Sequence, residues 1–450
     1  MPILSAAGLI ALPTERGQLR AAISAQEGTP IPPEPTPFPG TAAAQPSYDT
    51  LRVEEDGKIV PYHVFVDWLP SLVTTPDGGG WIFFGAQART ADGMGPRKLY
   101  AGRFDPDLGV WLPATAMPGG IAQFGPAAAV DSAGVVHVVY SDVAEPGELG
   151  STVVHTQRTP DGWSPPTAVA PDPNAGYQMM ADIAIDGEDG VHVLWRDQRF
   201  ATQGERAAHP ANGGDLFSAG LVNGKWSAVS KVMERPTPES VAGWPHLTAN
   251  GSRLVAVWSI YAGTSDEDME SAQRVEWAVK PIAESNWPAS KVMIERPSGT
   301  RDVGGRLLDV AADATGGVVV VDGSYERAHN DLSLRKLLDG DAGWSEPLSV
   351  GAGDYGYLPS VAVRQDATVF VAFNAGRNRN VEIGGIALRP NGTADAPVTF
   401  TAAEDGLQVR AFTAVSATGA PWVGYMHVPE GESSVRELRI VREANLLGAL

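Results

Sequence analysis

Nine arginines fall in segments that read as loops: Arg89, Arg196, Arg199, Arg301, Arg306, Arg327, Arg377, Arg379 and Arg410. Guanidinium groups that converge make planar, two-pronged contacts to carboxylate or sulfate. Trp244, Tyr261, Tyr325, Tyr355 and Tyr357 share those segments and offer faces that stack on sugar rings. Arg196, Asp197, Arg199, Trp244, Arg306, Tyr325, Arg377 and Arg379 are therefore the candidate ligand-binding set, with Arg196, Arg306 and Arg377 as leading anion contacts. The competing reading is that the arginines pair with nearby acids, for example Arg196 and Arg199 with Asp197 and Asp142, and only fix loops. Candidate catalytic groups are Tyr325 with its neighbour Glu326, His246 and Tyr357, a set suited to nucleophilic or proton-transfer chemistry.

Other chemistries fail on the sequence. There is no cysteine, which excludes disulfides, thiolate metal sites and thiol nucleophiles. No GxxxxGK[ST] phosphate loop, HExxH zinc pair or GxSxG elbow occurs. His137 and His192 lie inside apolar strands and read as satisfied core histidines. The acidic run SDEDMES, which includes Asp266 to Glu270, offers oxygen ligands to a structural Ca²⁺. It lacks the spaced ligands and glycine of an EF-hand loop, so a solvated loop is the default and no metal or cofactor is expected. A net charge of −20 argues against nucleic acid or an anionic membrane as partner. No run approaches the ~18 apolar residues of a membrane-spanning helix.

The elements that must position these side chains repeat along the chain. A short apolar strand, in most units ending in an aromatic, recurs as WIFFG, VHVVY, VHVLW, LVAVW, VVVVD, VFVAF and PWVGY, whose last residues are 55, 55, 63, 64, 51 and 52 positions apart. Before most of them stands another apolar strand (AAAVD, IAIDG, HLTAN, DVAAD, SVAVR, TAVSA) and a tight turn. After each comes a variable loop and a third strand. In five units a Gly-rich turn then leads to Trp111, Trp163, Trp226, Trp287 or Trp344, which often opens a fourth strand such as WSAVSKV. Four short strands per unit, β-branched and apolar on both sides, are the pattern of a propeller blade sandwiched between neighbours. The expected fold is all-β, a seven-bladed β-propeller of four-stranded blades. Approximate blades span 69–118, 119–175, 176–238, 239–299, 300–353, 354–404 and 405–450. The last unit ends without a fourth strand, so a strand from 51–68 is expected to pair into it and close the ring.

Residues 1–50 form a separate leader. Met1 to Pro13 is apolar but has no basic n-region, and a signal-peptide remnant remains open. Thr29 to Gly40, TPIPPEPTPFPG, carries proline too densely for helix or central strand and reads as a polyproline-type spacer. A stalk and a disordered leader are equally open readings.

Thr159 to Ser164 (TPDGWS), Asp341 to Ser345 (DAGWS) and Asn223 to Ser227 (NGKWS) resemble shortened aspartate boxes of the sialidase-like, BNR-repeat-like propeller superfamily, as does DGVHVLWRDQR. The resemblance spans about residues 60–440 and implies that box Asp and Gly shape turns while the Trp packs between blades. It also implies, for an active member, an arginine triad, a tyrosine nucleophile paired with Glu and an Asp acid/base. The family's early Arg-Ile-Pro signature is replaced here by Asp67 to Pro70, DWLP, with Trp68 in the place of that arginine.

First-to-second and third-to-fourth turns are short and generic, whereas second-to-third and interblade loops are longer and carry the arginines and tyrosines. The leading expectation is thus an exported or cell-surface propeller that recognises a glycan, acidic in character, or a protein partner at the mouth of its central channel. Two alternatives stand beside it. One is a carbohydrate-active enzyme, a sialidase-like glycosidase or a polysaccharide lyase, with its site in the same mouth, and the other is a structural subunit of a surface assembly.

Overall fold

The computed structural model describes residues 48–442, apart from 66–68, 91–92, 121, 144–149, 173–175, 200–213, 223, 238–239, 262–271, 296–307, 313–316, 324–331, 339, 341, 351–355, 378–379, 396, 402–405 and 431–436. Among the described residues there is no α-helix, and the strands form seven sheets. Their innermost strands are Ser71–Thr74, Ala122–Val130, Gln178–Ile185, His246–Asn250, Leu308–Ala312, Gly356–Val363 and Leu407–Val415. Each packs against the next, and the last packs against the first.

Every recurring apolar segment lies in the second strand of a sheet. Successive side chains of a strand point to opposite faces, and here both faces meet another sheet. Seven apolar clusters fill the gaps. Phe83 shares a cluster with Val138, Val139 with Val193, Leu194 with Trp258, and Val257 with Val320. Val321 likewise shares a cluster with Phe373, Phe370 with Tyr425, and Met426 with Phe84, a cluster that joins the last sheet to the first. This two-sided burial is why Pro421–Val428 is buried throughout its length. The fold is a β-propeller of four-stranded blades.

The tryptophans that follow the Gly-rich turns pack backwards around the ring. Trp111 meets Trp422 of the last sheet at 5.8 Å, Trp163 meets Trp81 at 5.3 Å, and Trp226 lies edge-on to His155 at 5.4 Å. Trp344 meets Trp277 at 5.6 Å, and Trp287 donates its indole N–H to Ser218 Oγ at 2.7 Å. All five thus serve inter-sheet packing.

Two expectations need correction. Six of the sheets keep four strand positions, but the sheet containing Ser71–Thr74 has nine strands and breaks the uniform repeat. The stretch 51–68 does not supply the outer strand of the last sheet. Asp56 and Gly57 both adopt left-handed φ (50° and 73°), the requirement of a type I′ hairpin turn, so Val53–Glu55 folds back on Lys58–Val60. Val53–Glu55 also runs parallel to Ala114–Ala116, and Tyr62–Val64 pairs with residues 86–88, all within the nine-stranded sheet. The strand beside Glu437–Val441 is Tyr48–Thr50, in antiparallel register Tyr48 to Val441.

Candidate active site in the central channel

Four innermost strands share one irregularity. Their pairing shifts between Phe124 and Ala127, Met179 and Asp182, Tyr357 and Ser360, and Val409 and Phe412. The first residue inside each bulge has left-handed φ: Gly125 (63°), Met180 (54°), Leu358 (50°) and Arg410 (60°). Only one of the four is glycine, so three L-residues hold a conformation that costs of order 1–3 kcal/mol and survives only where packing enforces it.

Just past that level, one polar side chain of an innermost strand accepts a backbone N–H from the next strand around the ring. Ala128 N–H donates to Ser71 Oγ (3.0 Å), Leu247 N–H to Asp182 Oδ2 (2.7 Å), Val361 N–H to Asp309 Oδ2 (2.7 Å) and Thr413 N–H to Ser360 Oγ (3.1 Å). Two serines show that a hydroxyl suffices for this stitch. Asp182 and Asp309 therefore bring a charge that the stitch does not need.

Those two carboxylates flank His246. Its Nδ1 lies 3.9 Å from Asp182 Oδ2 and 3.7 Å from Asp309 Oδ1. About a fifth to a quarter of each side chain remains accessible (18% for His246, 25% for Asp182, 23% for Asp309). Burial pushes the Asp182 carboxyl up to about 7, against the pull of Leu247 and Ile183 N–H, and the Asp309 charge pushes the same way. Burial likewise pushes Asp309 up to about 6, although Val361, Val310 and Ser360 donate to it. Each carboxylate also accepts the N–H of the residue that follows it, at 2.9 Å in both cases. Two acids that hold protons close to neutrality, beside an imidazole, form an arrangement able to give and take a proton.

His246 is delivered by a break in its strand. Val241–Ala242 pairs with Ile260 and Tyr261, Gly243 N–H still donates to the Ser259 carbonyl at 2.7 Å, the pairing lapses over Trp244 and Pro245, and it resumes at His246. Gly243 has no room for a side chain, since a Cβ there would sit 2.2 Å from the Tyr261 ring. Arg196 holds the approach from below: its side chain is 2% exposed, and it donates to the Ala242 carbonyl at 3.1 Å and toward Met179 Sδ at 2.8 Å. Burial lowers its guanidinium to about 10.

The structure thus divides the sequence-derived set. Arg196 forms no ion pair with Asp197 or Asp142; it clamps backbone instead. Asp197 is buried and accepts from Trp195 Nε1, Gln178 Nε2 and Arg199, whose guanidinium is 2.6 Å away. Arg199 also reaches Asp172 at 3.6 Å and lies over the Phe217 ring at 4.6 Å. Arg196 and Arg199 with Asp197 therefore behave as loop fasteners. Asp142 accepts the Gly120 N–H. Trp244 is half-buried beside His246 in sequence. Arg306, Tyr325, Glu326, Arg379 and the acidic run at 266–270 lie outside the described residues, and Arg377 and Tyr357 are described in backbone alone. His246 is the one catalytic candidate whose side chain the structure describes. Asp182 and Asp309 were missed, although superposing the repeats would have shown polar residues at one position of otherwise apolar first strands.

No protein-family model matches the chain, and no curated protein matches it. Among solved structures it is similar to a protein of unknown function from Dyadobacter fermentans DSM 18053, with 11% identity and a TM-score of 0.51 over 90% of this chain and 100% of that one. It is also similar to a polysaccharide lyase of family PL25, an ulvan lyase bound to -[GlcA(1-4)Rha3S]-, with 11% identity and a TM-score of 0.52 over 87% and 97% of the two chains. A fungal alcohol oxidase of the AA5 family in complex with copper matches at 11% identity and a TM-score of 0.52, over 90% and 77%. At such identity the likeness establishes the fold, a β-propeller, and nothing about activity.

Proposed function

We propose that this protein is a glycan-processing propeller in which His246, between Asp182 and Asp309, carries the proton transfer on a sugar chain bound at the channel. The observation behind the reading is the placement of two carboxylates, at about 7 and about 6, within 4 Å of one imidazole nitrogen in a part-accessible channel. Cleavage of a glycan needs a group that holds a proton at working pH and a partner that accepts one. The glycan class is supported by fold analogy with the ulvan lyase, whose bound unit is acidic.

The same reading takes the seven sheets as seven blades in a closed ring, supported by the seven inter-sheet clusters and by the pairing of Tyr48–Thr50 with Glu437–Val441. An extracellular or surface location is supported by the Pro-rich spacer at Thr29 to Gly40.

The test is turnover on a panel of acidic and neutral polysaccharides, followed by reducing-end release and by the ultraviolet absorbance of the unsaturated uronate that a lyase leaves. His246→Ala is expected to cut turnover by about 10²–10⁴-fold with unchanged thermal unfolding. Full activity in that variant, or no cleavage of any glycan by the unaltered protein, overturns the reading.

A further inference from the structure

At the other end of the sheets, where innermost strands turn into second strands, lies a cleft of about 420 Å³ between the first two sheets. The turn at Thr75 to Asp77, the turn at Ala133 and Gly134, and the turn at Arg158 to Pro160 form its rim. This is the face whose turns read as short and generic in the sequence.

The lining is neither short of charge nor generic. Trp81 and Trp163 meet edge to face at 5.3 Å, and both rings stay half-buried. The Arg158 guanidinium lies 5.8 Å from the Trp81 ring centre and 5.9 Å from that of Trp163. Arg103, exposed, enters the same cleft from the first sheet. Arg158 donates one N–H to the Thr159 carbonyl at 2.6 Å, and among the described residues neither arginine has a carboxylate within salt-bridge distance. The one acid on the rim, Asp77, has Oδ1 engaged by Thr75 Oγ1 at 2.5 Å and Gly79 N–H at 3.0 Å, and these bonds, with the nearby Arg103 charge, hold its carboxyl below the usual range. The cleft is thus net cationic in a chain of net charge −20.

We infer that this cleft is a second binding site, distinct from the channel, that takes a uronate residue of a glycan. The carboxylate is recognised by Arg103 and Arg158, and the apolar face of the sugar ring lies against Trp81. Guanidinium pairs favour planar anions, indole faces favour apolar sugar faces, and the cleft volume falls in the range that encloses a small ligand. A bare anion would use only the first feature and a neutral sugar only the second.

The experiment titrates the full chain with D-glucuronate, D-glucose and inorganic sulfate by calorimetry and by tryptophan emission. Glucuronate is expected to saturate with a Kd on the order of 1 mM, and glucose and sulfate to bind at least about tenfold more weakly. Arg103→Ala, at an exposed position that the fold does not depend on, is expected to weaken glucuronate about tenfold or more, as is Arg158→Lys. His246→Ala leaves this binding unchanged, which separates the cleft from the channel site. Equal response to glucose and glucuronate, equal binding by sulfate, an unaffected Arg103→Ala variant, or no saturation in the millimolar range overturns the inference.

Discussion

His246 Nδ1 sits 3.7 Å from Asp309 Oδ1, and the other oxygen of that carboxylate, Oδ2, accepts the Val361 N–H of the next innermost strand. One side chain therefore serves the ring with one oxygen and the channel with the other. Serine at the same level, as at Ser71 and Ser360, serves the ring alone. Asp182→Ser and Asp309→Ser are accordingly expected to fold and to lose turnover by about 10²-fold or more, checked by thermal unfolding and a glycan-cleavage assay side by side. A serine variant with full turnover would confine these acids to a structural role.

The raised carboxyls also set a stability trend. In the folded state Asp182 and Asp309 keep protons up to about 7 and about 6, whereas in the unfolded chain they lose them near 4. Between those limits the folded state binds more protons, so their contribution to stability is fullest below about pH 4 and is lost as pH rises to about 7. With about a quarter of each side chain accessible, Asp182→Asn should be more stable than the parent by about 1–2 kcal/mol at about pH 8 and equal to it at about pH 4. Urea unfolding at both pH values measures the difference.

The histidines inside the second sheet act in the opposite direction. His137 Nδ1 and His155 Nε2 are 3.0 Å apart in a stacked pair. Burial, and then the His137 charge, lower His155 to about 4, and burial lowers His137 as well. The unfolded chain takes up protons first, near 6.5, so this contribution is full above about pH 6.5 and is lost as pH falls toward about 4. His155→Phe, which keeps a ring against His137 and Trp226, should flatten the acid limb of the stability profile by on the order of 2–3 kcal/mol. Chemical denaturation across that window is the measurement.

Tyr62 ties the first sheet to the last. Its hydroxyl donates to the Leu51 carbonyl at 2.9 Å and accepts the Leu438 N–H at 3.1 Å, within a buried environment that raises its pKa far above the ordinary phenol value. Tyr62→Phe leaves two buried backbone groups without that partner and is expected to cost about 1–3 kcal/mol. Arg442→Ala breaks the half-exposed pair with Asp49 beside the same seam, and should cost under about 1 kcal/mol. Calorimetric Tm values of the two variants decide the order; a larger loss in Arg442→Ala would mean that the outer ion pair holds the seam.

Much of the architecture was legible because it rests on local pattern. The second strands announce themselves as β-branched runs closed by a large residue, since both of their faces are buried. The tryptophans after Gly-rich turns were legible as packing groups for the same reason. The strand at 51–68 was misassigned because the Asp56 and Gly57 turn, a stronger local signal than the spare edge of the last sheet, commits that stretch to a hairpin. Arg196 donates to the Ala242 carbonyl, and a guanidinium that clamps a carbonyl has the same sequence appearance as one that awaits an anion.

The sequence by itself determined that the chain repeats a four-strand unit, that its strands are buried on both sides, and that thiol, P-loop and HExxH zinc chemistry are absent. It did not determine that Asp182, His246 and Asp309, 64 and 63 positions apart, share one level of the channel. That convergence depends on the side-by-side packing of three consecutive innermost strands, Gln178–Ile185, His246–Asn250 and Leu308–Ala312, and on their phase. In the strand of Asp182 the phase shifts at Met180, a left-handed residue where no glycine marks the spot. Strain of this kind is imposed by the surrounding packing, so only the tertiary structure reveals it.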